Sequence, residues 1–169
     1  MYPNPQDALP LASRPNVEQY RKLAKDLVKS CKSGDPAAVR VWAVRWIEAL
    51  AARQGEPDAL RDGAEISARA DQVEQFARKK LAVGNGRSSK CALADAQFVI
   101  ARAHGFLSWS TFVTHIASLA RASSAVSAFE TAAYAIVSGD VTTLERLLHE
   151  HPQLIQARST REHRATLLH

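Results

Sequence analysis

The chain is expected to fold as an all-α protein built from helical hairpins. Two patterns predict this. Apolar residues recur with helical period along nearly the whole length, and no stretch alternates apolar and polar residues for long. Glycine and proline stand between the periodic segments rather than inside them, marking helix ends and turns. With 169 residues, 46% of them hydrophobic and 23% charged, the chain has material for one domain with its own core, or for one domain plus a partial repeat unit.

Each element has its own signals. Asn16 can cap the first helix, with Gln19 three residues on as in a capping box. Leu23, Leu27 and Cys31 then fall on one face, with Val28 beside it. Ser33-Gly34-Asp35-Pro36 ends that helix and starts the next. Gly terminates, Asp caps, and Pro occupies a first turn where its missing N–H costs nothing. The second helix is expected over about 36–53, built on Val39, Trp42, Val44, Trp46, Ile47 and Leu50. The third is expected from about Pro57 to Leu81 and is the most polar, with Ile66, Val73 and Phe76 as sparse anchors. Residues 84–89 read as a loop. Two more helices, about Cys91–His104 and Trp109–Arg121, are joined at Gly105-Phe106. Ala128–Asp140, closed by Gly139, and Val141–Glu150 complete about seven helices.

Composition excludes some function classes. No apolar run approaches the 18 or so residues of a membrane span, and the N-terminus lacks the basic and apolar regions of a signal peptide. Residues 1–15 are expected to form an extended arm, 16–122 an α-helical domain and 126–169 a separate segment. A net charge of +5 permits an acidic or nucleic-acid partner without demanding one. Cys31 and Cys91 lie about sixty residues apart with no CxxC partner. They are read as small buried thiols in a reducing cytoplasm; a disulfide or a thiol nucleophile is the alternative.

The C-terminal segment carries a further pattern. Ala128–Asp140 and Val141–Glu150 form a helical pair around Gly139, and Thr166-Leu167-Leu168-His169 then resembles the T-P-L-H opening of an ankyrin repeat. Together with RPNVEQYRKLAKDLVKSCKSGDPAAVR from Arg14 and KCALADAQFVIARAHGFLSWSTFVTHI from Lys90, it is similar to bacterial ankyrin-repeat proteins. The resemblance covers most of the chain apart from the N-terminal arm and about residues 53–87. It departs from the family in Leu167, where the motif has proline, and in the extended RSTREHRA loop. It implies a partial ankyrin-type repeat at the C-terminus, a scaffold for protein contacts, and no catalytic residues. The chain reads as a member truncated inside its second repeat. Repeat units bury their faces by stacking on neighbours, so Leu144, Leu147, Leu148, Leu167 and Leu168 are expected to lie exposed and to drive self-association into a homodimer. CKSGDPAAVR from Cys31 and IVSGDVTTLER from Ile136 share a helix, S-G-D, helix pattern, which suggests that the N-terminal hairpin resembles a repeat hairpin.

Three chemistries compete with this reading. All six histidines follow residue 100, and His149, His151, His163 and His169 fall in the last twenty-one residues with Glu150 and Glu162 among them. Imidazole is a preferred zinc ligand, and zinc-bound water attacks esters and phosphoesters with a carboxylate as base. The alternative function is therefore a zinc-dependent hydrolase, with those four histidines as ligands, Glu150 or Glu162 as base, and a dimer interface completing the site. The spacing matches no known zinc signature, and histidine at a helix C-terminus is favoured by the helix dipole alone. DNA binding through residues 97–120 is the weaker alternative. The second helix offers Ser110, Thr111, Thr114 and His115 but no Arg, Lys, Asn or Gln before Arg121, and groove recognition leans on those types. GNGRSSK from Gly84 lacks the spacing of a phosphate loop. His104 and His115 are read as structural. The leading expectation is a non-catalytic, self-associating, cytoplasmic interaction module with neither nucleic acid nor membrane as partner.

Overall fold

A computed structural model describes residues 7–11, 15–53, 63–81, 91–121 and 124–168. Among them it has seven α-helices: α1 (Val17–Lys32), α2 (Ala38–Arg53), α3 (Gly63–Leu81), α4 (Leu93–Ala103), α5 (Trp109–Leu119), α6 (Ala125–Ser138) and α7 (Val141–Glu150). A 3-10 turn follows at Pro152–Ile155, and the described residues include no strand. The all-α expectation holds. The predicted start of the third helix at Pro57 and the predicted loop at 84–89 lie outside the described residues.

The chain divides into two compact units, Met1–His104 and Gly105–His169. The division falls inside the helical domain expected for 16–122, so α5 belongs with the C-terminal hairpin.

In the first unit, α1 packs on α2 and α4, and α3 packs on the same two helices. The helix ends follow local chemistry. Asn16 Oδ1 accepts the Glu18 N–H at 2.8 Å to start α1, and Asp35 Oδ1 accepts the Ala37 N–H at 2.8 Å ahead of α2. The polar α3 is held by more than its expected anchors. Val73 is buried, and so are Ala70, Ala77 and Leu81 at helical spacing; Ile66 and Phe76 are only half-buried. The alanines have no side chain to hold the helices apart. The other attachment of α3 is electrostatic: Arg40 of α2 pairs with Asp71 and, at 3.5 Å, with Glu74, and Glu74 also holds Arg78 at 2.7 Å.

Two expectations about this unit need correction. The N-terminal arm, which the prolines suggest lies on the surface or is disordered, packs inward at Leu9: this leucine is buried, its N–H donates to Ala103 O at 2.8 Å, and its carbonyl accepts from His104 Nδ1 at 3.0 Å. A leucine followed by proline at the mouth of a helical bundle fills a core position that periodicity cannot reveal. Cys31 and Cys91 are both buried as expected, but they are joined as a disulfide with their Cα atoms 6.4 Å apart. The contact between α1 and the start of α4 brings them together, which separation in sequence concealed.

The second unit is built on α5, α6 and α7. Ser108 and Thr111 form a reciprocal capping box at the head of α5. Ser124 caps α6, Gly139 closes it in the left-handed region at φ 71°, and Asp140 caps α7 through the Thr143 N–H at 3.0 Å. Ala128, Phe129 and Ala132 of α6 pack with Leu147 of α7 and Leu154 of the 3-10 turn. Leu144, Leu148 and Leu167 lie partly buried against this cluster. The exposed leucine face expected there is thus mostly covered: of the five leucines, only Leu168 is largely open. The chain beyond α7 turns back and shields the rest.

Candidate functional site

Among the described residues, the predicted metal ligands His149, His151 and His163 do not converge. His149 is exposed in the last turn of α7, and its neighbour Glu150 is paired with Arg146 at 2.7 Å. His151 is half-buried at the C-cap of α7, where its N–H donates to Leu147 O at 2.8 Å. His163 is half-buried, and its Nδ1 accepts the Ala165 N–H at 3.1 Å. Glu162 is exposed, with its N–H on Gly105 O at 2.9 Å. His169 lies outside the described residues. No group of three or more His, Cys, Asp or Glu side chains that could hold a metal forms among the described residues. The groove-reading residues predicted on α5 also divide: Ser110, Thr111 and Thr114 are exposed, whereas His115 is buried.

That inward-facing imidazole is the centre of a polar network. His115 is 3% exposed. Its Nδ1 lies 2.6 Å from Thr160 Oγ1, and its Nε2 lies 3.7 Å from Glu130 Oε1. Among the described residues, Nε2 has no partner at hydrogen-bond distance. The other Glu130 oxygen accepts from Arg161 at 3.3 Å. The Phe106 ring packs on the imidazole with centroids 4.8 Å apart. Three parts of the unit supply these groups: α5 gives His115, α6 gives Glu130, and the loop after the 3-10 turn gives Thr160 and Arg161.

The loop is shaped by its own bonds. Buried Ser159 donates its N–H to Ala165 O at 2.8 Å, and its hydroxyl accepts the Arg161 N–H at 3.2 Å. Arg158 reaches Arg164 O at 3.2 Å, and Arg164 takes a left-handed φ of 48°. The two ends of the loop therefore sit together, with Thr160 and Arg161 at its tip.

The electrostatics keep His115 uncharged. Burial lowers its pKa below the ordinary 6.5; Glu130 works against that shift, and Arg161 adds to it. His163 is lowered too, again by desolvation first and then by Arg161, against Glu130 and Glu162. The carboxylate beside Nε2 favours the tautomer that carries hydrogen there. Nδ1 is then an acceptor, and the Thr160 hydroxyl is its donor. This is a hydroxyl, an imidazole and a carboxylate in series.

No model of a known protein family, no curated protein and no solved structure matches the chain.

The histidine pattern points to the C-terminal run and leaves His115 a structural residue. The missed residues are Thr160, Arg161 and Glu130. Thr160 is 45 positions from His115, and no spacing rule links a helix residue to a loop tip at that range. The one available signal was the RSTREHR run itself, whose three arginines flank a hydroxyl pair.

By contrast, His104 serves packing, as expected. Its buried ring donates to the Leu9 carbonyl and meets the edges of Tyr20 and Trp46 at 5.3 and 5.6 Å. A second surface feature lies in the first unit: an open groove of about 900 Å³ between α1 and α2, floored by Leu23, Trp42 and Leu50 and rimmed by Lys22, Lys29 and Arg45.

Proposed function

We propose that the chain is a helical protein-interaction module that associates with a second copy of itself through the tip of the α6–α7 hairpin. The observation that supports this is an apolar patch with no structural duty in its own unit. Tyr134, Val137 and Val141 are 58%, 78% and 61% exposed. Tyr134 and Val137 are three apart on α6, and Val141 opens α7 just beyond the Gly139 turn. The hairpin's own core is supplied by other residues, from Ala128 to Leu154. Leaving three large apolar side chains in water at one turn favours burial against a partner.

Charge favours a second copy as that partner. Residues 131–139 carry no charged side chain. A two-fold contact brings each patch against its own image; the one charge between Tyr134 and Val141 is Asp140, whose carboxylate is engaged in capping α7 through the Thr143 N–H. In this reading the hairpin is an ankyrin-type unit: two short antiparallel helices, a glycine turn, and a return loop ending in TLLH. The helical-repeat character is part of the proposal.

Sedimentation or light scattering tests it. The wild-type chain should be dimeric at tens of micromolar, and the double variant Tyr134→Glu, Val137→Glu should be monomeric with an unchanged melting profile. A wild-type chain that stays monomeric at that concentration, or a dimer that survives the double variant, removes the reading.

A further inference from the structure

The His115 network contains one group that faces outward. Thr160 is an exposed residue at the loop tip, yet its Oγ1 sits 2.6 Å from a buried imidazole nitrogen. With its hydrogen given to Nδ1, the hydroxyl oxygen keeps its lone pairs for an electrophile. Behind the imidazole stands Glu130, 3.7 Å from Nε2 and fixed by Arg161. A hydroxyl needs an adjacent base to act as a nucleophile at neutral pH, and the base needs a third group to orient it. All three are present.

We propose that Thr160 is an activated hydroxyl that accepts an acyl group from a small ester or thioester, with His115 as its base and Glu130 as the positioning carboxylate. Thr160 Oγ attacks the carbonyl carbon and forms the new C–O bond, while its proton passes to His115 Nδ1. The bond from the acyl carbon to the leaving alkoxide or thiolate then breaks, and that group departs with the proton from Nδ1. The products are an acyl-threonine and a free alcohol or thiol, with the imidazole restored. While the imidazole carries the extra proton it is a cation facing Glu130. The attraction shortens the Nε2 contact to hydrogen-bond length, as happens when resting-state geometry tightens on reaction. Burial keeps His115 neutral and therefore able to take the proton at pH 7.

The test uses the full chain and p-nitrophenyl acetate at pH 7.5, with site mapping by mass spectrometry. Thr160 should gain one acetyl group well ahead of the exposed Thr114, Thr131 and Thr142, which have no imidazole beside them. Thr160→Val should lose that adduct, and Thr160→Ser should keep it. His115→Gln should slow labelling by about 100-fold or more, the usual share of a positioned base. Glu130→Gln should move the pH midpoint of labelling downward, because it removes the charge that raises the His115 pKa; a midpoint left in place would overturn the role given to Glu130. Labelling of Thr160 no faster than of the other threonines, measured on the wild type alone, overturns the proposal even if a variant misfolds. Equal labelling in a folded His115→Gln variant overturns it as well.

Discussion

His115 is a neutral imidazole held inside a unit that must stay folded around it. The unfolded chain binds a proton there near pH 6.5, and the folded chain only at lower pH. Proton uptake below that point thus favours the unfolded state. Stability from this residue is complete above about pH 6.5 and declines as pH falls toward the folded value. His163 shifts the same way and adds to the decline. Urea melts of the C-terminal unit's tyrosine or tryptophan signal at pH 7.5, 6.0 and 5.0 should show a falling midpoint, and His115→Gln should flatten the trend. An unchanged slope in that variant would place the pH response elsewhere. At this scale the sequence was least informative. It showed that histidines crowd the C-terminal half, but not that His115 turns inward to meet Thr160 and Glu130. Side-chain periodicity says which face of α5 is buried; it does not say which loop residue returns to that face.

The helices themselves were far more legible, because their ends are written in local chemistry. Asn16, Ser108, Ser124 and Asp140 each accept an N–H of the following first turn, and Gly139 ends α6 where the pattern stops. Gly139 needs a positive φ, and a Cβ there would meet nothing within 4 Å. Substitution with alanine therefore costs backbone strain alone, about 1 kcal/mol. Gly139→Ala should lower the melting temperature by about 4–8 °C for a unit of this size, with the helical content at 20 °C retained. A loss many times larger would mean that the turn carries contacts beyond its conformation. What the pattern could not supply was packing. Ala70 and Ala77 are buried on α3 as fully as Val73 and Leu81, and alanine counts only where another helix comes close. Four of the five leucines expected in the open, all but Leu168, are shielded for the same reason: the loop that covers them has no period to read.

For the whole molecule, the decisive surprise is the covalent link across the first unit. Composition alone argued for two reduced thiols; proximity of α1 and α4 makes them a pair. The pair is held as the bond in oxidising surroundings and as two thiols in reducing ones. The bond closes a loop of 60 residues, and its loss should cost the N-terminal unit about 2–4 kcal/mol. Urea unfolding with and without reductant should separate by that amount in the first unit. Alkylation of the unfolded protein without reductant should find no reactive thiol; two labelled cysteines would show the pair unbonded under those conditions.

The same bond determines how the chain would respond to a protease. A single cut anywhere between Cys31 and Cys91 would leave both fragments tethered. The nicked protein would keep its full mass without reductant and separate into two pieces only when a thiol reagent is added.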